Sequence, residues 1–317
     1  MYETAARART RIGRLLKGKA EDVALLWNAT AGLHAIATGT RWRADDNVVV
    51  AASEFPSLRY VWRPFHVRIL EPSATFASPA QIERTIDKNT RAIVVSHVSY
   101  LNGARTDLAE LREICDRTGV RLIVDASHSL GVVPVDGSLC DAVVSSCYKW
   151  LFGPHGVAVF YANSMRWPDL EPSAIGWNSV VPDTPWHITS DFKLKTDMER
   201  FEGGNPSFMN IYYLENSLSV LEDLGIDRLE AHALSLGSRL LDGLNKLNLP
   251  VMTPEEPQKR AGSIAIATRK SERLEAQLRA RGILTWGGDE RLRISVHAYN
   301  FADDVDRLLE EISRLDI

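Results

Sequence analysis

The sequence predicts an α/β fold, with a large, mostly parallel sheet domain carrying helices on both faces and a small C-terminal α+β domain. Three observations carry this. Short β-branched runs alternate with amphipathic stretches over the first two thirds of the 317 residues, the rhythm that parallel strands joined by helices require. Polar residues stand repeatedly at the carboxyl ends of those apolar runs, where open parallel sheets bind ligands. After about Pro250 the alternation resumes on a smaller scale.

The elements follow in order. The basic start "MYETAARARTRIGRLLKGK" lacks the apolar core of a leader and reads as the first turn of a solvated helix. Buried strands are predicted at "NVVVAAS" (47–53), "RAIVVSHV" (91–98), "RLIVDAS" (121–127), "DAVVSSC" (141–147) and "GVAVFYA" (156–162). Between them "SPAQIERTID" and "TDLAELREICDRTG" have helical spacing, the second opened by Thr106 or Asp107 as cap and closed at Gly119. From Trp167 to Gly204 the pattern loosens into a loop rich in Pro, Trp and Asp. Two helical stretches follow, "MNIYYLENSLSVLEDLG" and "IDRLEAHALSLGSRLLDGLNKL". The end reads strand ("GSIAIAT"), helix ("KSERLEAQLRARG"), strand ("RLRISVH"), helix ("FADDVDRLLEEISRL"). The expected division is a large domain over 1–215 and a small domain over 216–317, linked by a long helix.

Composition narrows the function. At 45% hydrophobic and 25% charged, the chain is an ordinary globular sequence. Its net charge of −4 gives nucleic acid or an anionic membrane no basic field to meet, and no apolar run reaches the length of a membrane span. Three scattered cysteines, Cys115, Cys140 and Cys147, form no CxxC pair, which argues against a disulfide framework or a thiolate metal site. A reduced, cytoplasmic protein with no metal is expected.

The strand-end residues are more specific. Ser96 and His97 end one run, Asp125 and His128 the next, and Ser146, Tyr148 and Lys149 a third. Singly, such residues are caps, turn formers or solvated side chains. Together they suit pyridoxal phosphate chemistry. That cofactor needs a lysine to form a Schiff base and a carboxylate to keep its ring nitrogen protonated. It also needs hydroxyls and amides for its phosphate, and a flat side chain over its ring.

At these residues the chain resembles the class V aminotransferase fold of pyridoxal-phosphate enzymes (fold type I), which includes cysteine desulfurases, kynureninases and isopenicillin N epimerase-like proteins. "DASHSLGVVPVD" followed by "CDAVVSSCYKWLFGPHGVAVFY" is similar to the family's aspartate and lysine segments in order and spacing. The resemblance implies Lys149 as the Schiff-base lysine, Asp125 as the partner of the ring nitrogen, and His128 near the cofactor's phenolic oxygen. Ser146 and Tyr148 match phosphate-holding positions. "LWNATAGLHAI" resembles the phosphate-binding helix start, implicating Thr30 and the backbone of Ala31. "SEFPSLRYVW" matches the segment with the ring-stacking residue, here Phe55. "RFEGGNPSF" is similar to a glycine-rich segment that reaches the neighbouring subunit's cofactor, which implies a homodimer completed through Gly204 and Asn205. "LRISVHAYN" resembles the motif whose arginine, Arg293, grips the substrate carboxylate in a two-pronged fit. Tyr100 and Asn102 in "SHVSYLNG" join the substrate side.

Plain structural readings stand beside several of these: Phe55 as core, Thr30 as a helix cap, Arg293 as an ion-pair former, Trp177 as packing. His128, Tyr148, Phe55 and Tyr100 lean toward the kynureninase-like branch. The region before Arg293, "RARGILTWGGDERLRISVH", lacks the desulfurases' nucleophilic cysteine, and a persulfide route needs a thiolate acceptor. Cys147 reads as a buried structural residue. The resemblance implies a further N-terminal segment that is not matched in the sequence, and two expectations stand: a truncated start, or a pocket more open than in the relatives. The expected function is a lyase cleaving a carbon–carbon or carbon–sulfur bond of a small amino-acid substrate, with aminotransferase or epimerase as the alternative. A non-catalytic scaffold or an unrelated α/β ligand-binding protein are the readings from other classes.

Overall fold

Five strands of the larger sheet run parallel: β2 (Asn47–Val49), β3 (Arg68–Leu70), β4 (Thr90–Ser96), β5 (Arg121–Asp125) and β6 (Ala142–Ser146). With β1 (Val23–Leu26) and β7 (Ala158–Ala162) the order is β1-β7-β6-β5-β4-β2-β3, and β7 runs antiparallel to both of its neighbours. This computed structural model describes residues 1–73, 76–181 and 192–316. Residues 182–191 of the expected Pro- and Trp-rich loop lie outside them.

The strands predicted from β-branched runs all form; β2, β4, β5 and β6 stop short of the predicted end, and β7 reaches it at Ala162. Ser96, Asp125 and Ser146 are the last residues of their strands, and His97, His128 and Lys149 follow beyond the ladder. Strands β1 and β3 were not foreseen, because four and three residues give too little alternation to read. Helix α2 (Ala29–Gly39) lies on β6 and β7. Helix α3 (Pro56–Tyr60) starts on its proline, and α4 (Pro79–Glu83) is half the length its spacing suggested. Helix α5 (Leu108–Thr118) is opened by Asp107, whose carboxylate accepts the Ala109 and Glu110 amides at 2.9 and 3.1 Å, and is closed at Gly119 with φ 70°. The cap is therefore Asp107 and not Thr106.

The basic N-terminus is a full helix, α1 (Tyr2–Leu15), with Ala5, Ala8 and Ile12 buried. Its arginines face α6 (Phe208–Leu224): Arg7 and Arg11 reach Glu215, and Arg11 and Arg14 reach Glu222. Arg9 points the other way, into the protein. It binds both oxygens of Glu202 at 2.7 and 2.8 Å, and Glu202 also accepts the Leu25 amide at 2.9 Å. Both side chains are nearly inaccessible. This pair ties "FEGGN" to α1 and β1. Arg9→Ala should leave Glu202 buried and unpaired, at a cost of ~3–5 kcal/mol, read as a lower midpoint in urea unfolding.

The chain divides into two compact units, residues 1–97 with 107–223, and residues 98–106 with 224–317. Gly225, at φ 79°, separates α6 from α7 (Ile226–Lys246). The second unit packs α7, α8 (Ser271–Arg279) and α9 (Ala302–Ser313) with a sheet ordered β8 (Ser263–Ala267), β10 (Arg291–Ser295), β9 (Trp286–Gly288), all antiparallel. Its core includes Leu240, Leu244, Ile264, Ile266, Leu292 and Val305. Strand β9 was unpredicted, since "WGG" carries no strand pattern. Among the described residues no helix is long and apolar enough to cross a membrane.

Candidate active site

Strands β4, β5 and β6 end side by side, and the register sets Ser96 opposite Asp125. Asp125 is buried at the tip of β5, and its Oδ1 accepts the Ser127 amide at 2.8 Å. The Ser127 hydroxyl in turn accepts the Ser146 amide at 2.9 Å. The tips of β5 and β6 are thereby stitched together, which places Asp125 and Ser146 on one rim.

Past Ser146 the chain turns sharply and carries Lys149 back over that rim. Its Nζ lies 3.1 Å from Nε2 of His128 and 5.7 Å from the centre of the Phe55 ring. The turn is held from behind by Gly131, at φ 105°, where a Cβ would meet the Trp150 carbonyl oxygen at 2.3 Å. The lysine at the end of a buried strand is thus half-buried, hydrogen-bonded and aimed along the rim. Tyr148 stacks on His155 with ring centres 4.0 Å apart.

Phe55 is 41% exposed and is not core. Two residues on, the Ser57 hydroxyl lies 2.9 Å from that of Thr30. Thr30 does not cap α2. Asn28 does, and its Oδ1 accepts the Ala31 amide at 2.8 Å. That amide, expected to bind an anion, is engaged within its own helix start. The oxygen of a short polar side chain satisfies the first free donors of a helix more cheaply than a distant ligand does.

One residue escaped the sequence reading. Glu54 accepts the Ser96 amide at 2.8 Å and lies 2.5 Å from the Ser96 hydroxyl. Burial pushes its carboxyl up to about 7, with the charge of Asp125 acting in the same direction and the two Ser96 bonds opposing. The available signal was an acid placed between a strand end and the candidate stacking residue Phe55.

Asn205 is exposed, and its Oδ1 accepts the Tyr2 hydroxyl at 3.5 Å. Neither it nor Gly204 is brought to the Lys149 rim by any described contact. Trp177 is 46% exposed and opens a short turn, Trp177–Ser179.

The expected substrate residues belong to the second unit. Arg293 donates from Nη1 to the Tyr100 carbonyl at 2.8 Å, and its guanidinium lies 5.1 Å from the centre of the Trp286 ring. Burial lowers its pKa, and neighbouring Arg291 adds to that. No described carboxylate pairs with it, so it is not an ion-pair former among the described residues. The Tyr100 ring faces Arg291 at 5.3 Å. Asn102 does not present a free side chain. It is buried, its Oδ1 accepts the Ala104 amide at 3.1 Å, and its carbonyl accepts the Thr253 hydroxyl at 2.6 Å. It closes a turn.

All three cysteines are buried, and none is joined in a disulfide. Burial pushes the Cys115 thiol up to about 12 and those of Cys140 and Cys147 higher still. None is a nucleophile at neutral pH.

The rim fits pyridoxal phosphate on its own geometry. It offers an accessible lysine amine, a buried carboxylate one strand away, an exposed flat ring beside the amine, and hydroxyls on Thr30, Ser57 and Ser146. Comparison with known proteins agrees. The chain is 26% identical to an uncharacterized aminotransferase of Schizosaccharomyces pombe, over 98% of this chain and 82% of that one. It is also 26% identical to isopenicillin N epimerase of Streptomyces clavuligerus, over 97% and 83%. In structure it matches the cysteine desulfurase of Thermococcus onnurineus with a TM-score of 0.89 at 23% identity, covering 98% of this chain and 83% of that one. The family profile described as "Aminotransferase class-V" matches residues 1–308. The chain therefore belongs to the aminotransferase class V family of pyridoxal-phosphate-dependent enzymes, built on fold type I.

Proposed function

We propose that this chain is a carbon–carbon or carbon–sulfur lyase acting on an amino acid, with Lys149 as the attachment point of pyridoxal phosphate. The observation that carries it is the Lys149–His128 contact at 3.1 Å over the strand end that holds Asp125. When bound, the cofactor supplies the electron sink that makes a proton on the substrate's α-carbon removable. Lys149 has the reach to take that proton at Nζ. Asp125 lies where its charge sustains a protonated ring nitrogen. Phe55 supplies a flat face, while Thr30, Ser57, Ser146 and Tyr148 supply hydroxyls for the phosphate.

A side-chain cleavage needs a proton taken at one atom and delivered at another. The hydrogen-bonded pair of Lys149 and His128 provides two carriers for that traffic. A sulfur-accepting thiolate is not required, which suits a chain whose cysteines are all buried. Epimerisation is the second reading, favoured by the likeness to isopenicillin N epimerase; aminotransfer is the third, favoured by the aminotransferase relative.

Arg293 suits the substrate carboxylate, since a desolvated guanidinium with no acid partner gains a charge-assisted bond on binding. Arg293→Ala should raise KM by roughly 10²-fold with a smaller effect on kcat, measured by steady-state kinetics on the best substrate. A homodimer fits the exposed Tyr2, Met209 and Tyr213 on α1 and α6, with Gly204 and Asn205 near the same face through the Tyr2 contact. Sedimentation would show it. Three cysteines without a disulfide suit a cytoplasmic setting.

The deciding experiment incubates cofactor-loaded protein with a panel of amino acids and identifies the products. A shortened carbon skeleton or released sulfide supports the lyase. Transfer of the amino group to an added keto acid, or inversion at the α-carbon with no other product, replaces it with one of the alternatives.

A further inference from the structure

The proposed chemistry leaves Glu54 without a task, although it sits one strand from Asp125. It follows β2 in a tight turn and reaches across to β4, where Ser96 meets it with both its amide and its hydroxyl. Ser96 is in register with Asp125 on β5. A serine hydroxyl donates to a carboxylate and accepts from a carboxylic acid. The 2.5 Å contact therefore serves Glu54 in either protonation state.

Asp125 adds negative field from β5. On α3, Arg59 turns away to Glu71. Lys149 approaches the ring of the next residue, Phe55, and bonds to His128. His97, following Ser96, gives its amide to the Asp125 carbonyl at 2.9 Å. Among the described residues no ion pair reaches Glu54. A buried carboxyl beside a second carboxylate, with no cation bonded to it, holds its proton.

We propose that Glu54 is a positioning residue that stores one proton beside Asp125, so that the two carboxyls present a single negative charge to the cofactor's ring nitrogen. The clause about the ring nitrogen rests on the proposed cofactor site; the stored proton does not. Its carboxyl is held at about 7, above an ordinary 4.5. The folded chain keeps a proton that the unfolded chain gives up in that interval. The stabilisation this brings is complete below 4.5 and drains away as pH rises through about 7.

The test begins with cofactor-free protein, so that it is independent of catalysis. Infrared difference spectra across a pH titration should show the carbonyl stretch of a protonated carboxylic acid disappearing with a midpoint near 7. The band should be lost in Glu54→Gln, and its midpoint should move down in Asp125→Asn, which removes the neighbouring charge. Thermal midpoints followed over the same range should fall for wild type and stay flatter for Glu54→Gln, whose fold is checked by circular dichroism. A band that survives in Glu54→Gln, or one whose midpoint ignores Asp125→Asn, overturns the stored proton. In a second arm, pyridoxal phosphate affinity is compared between wild type and Glu54→Gln. The ratio should be constant on the acid side of neutrality and diverge several-fold on the alkaline side; a flat ratio overturns the link to the ring nitrogen. Failure of wild type to take up the cofactor at all would sink the proposed function, while the infrared result would still decide Glu54.

Discussion

Turnover should fall on the order of 10⁴-fold or more when Lys149 is replaced by Ala. The amine is asked to do two things that no neighbour can do. On the proposed function it would hold the cofactor at one site on the rim and would serve as base at the substrate's α-carbon. Removing it deletes the base and the tether together. His128, at 3.1 Å, could still carry a proton but cannot replace a primary amine in forming the tether. Lys149→Arg keeps a cation of similar reach and should fail almost as badly, because a guanidinium neither loses its proton nor forms the bond. Rates on the best amino acid, with unfolding midpoints showing both variants to be folded, check this.

Asp125→Asn is expected to lower kcat by roughly 10²–10⁴-fold while leaving the protein able to take up pyridoxal phosphate. The amide keeps the shape and still accepts the Ser127 amide that Asp125 accepts at 2.8 Å, so the β5–β6 stitch survives. On the proposed function, what vanishes is the charge that would keep the ring nitrogen protonated, and with it much of the electron sink. The loss should appear in kcat more than in cofactor affinity. An equal loss in both would assign Asp125 to holding the cofactor in place.

The residues that could be read from the sequence are those whose position is fixed by a local rule. Asp107 and Gly119 bound α5 because capping chemistry is local. Asp125, His128, Ser146 and Lys149 fall on the rim because each ends a β-branched run, and parallel strands put their carboxyl ends together. What stayed hidden depends on register or on competition between neighbours. Glu54 matters only because β2 and β4 are adjacent and its side chain crosses to Ser96, which no spacing within "ASEFPS" reveals. The bond from the Ala31 amide to Asn28, three residues earlier, was likewise not foreseen. The turn at Asn102 was hidden too, since it is closed by contacts with Ala104 and Thr253, the latter far away in sequence. Arg9 looked like part of a solvated basic face, and only its pairing with Glu202 shows it buried.

The central claim, that Lys149 carries the cofactor, is tested most directly by trapping. Purified protein is loaded with pyridoxal phosphate, reduced with borohydride, digested, and its peptides weighed. The account predicts a phosphopyridoxyl group on the peptide containing Lys149 and none on that peptide from Lys149→Ala. A label fixed on another lysine, or none in wild type, would contradict it.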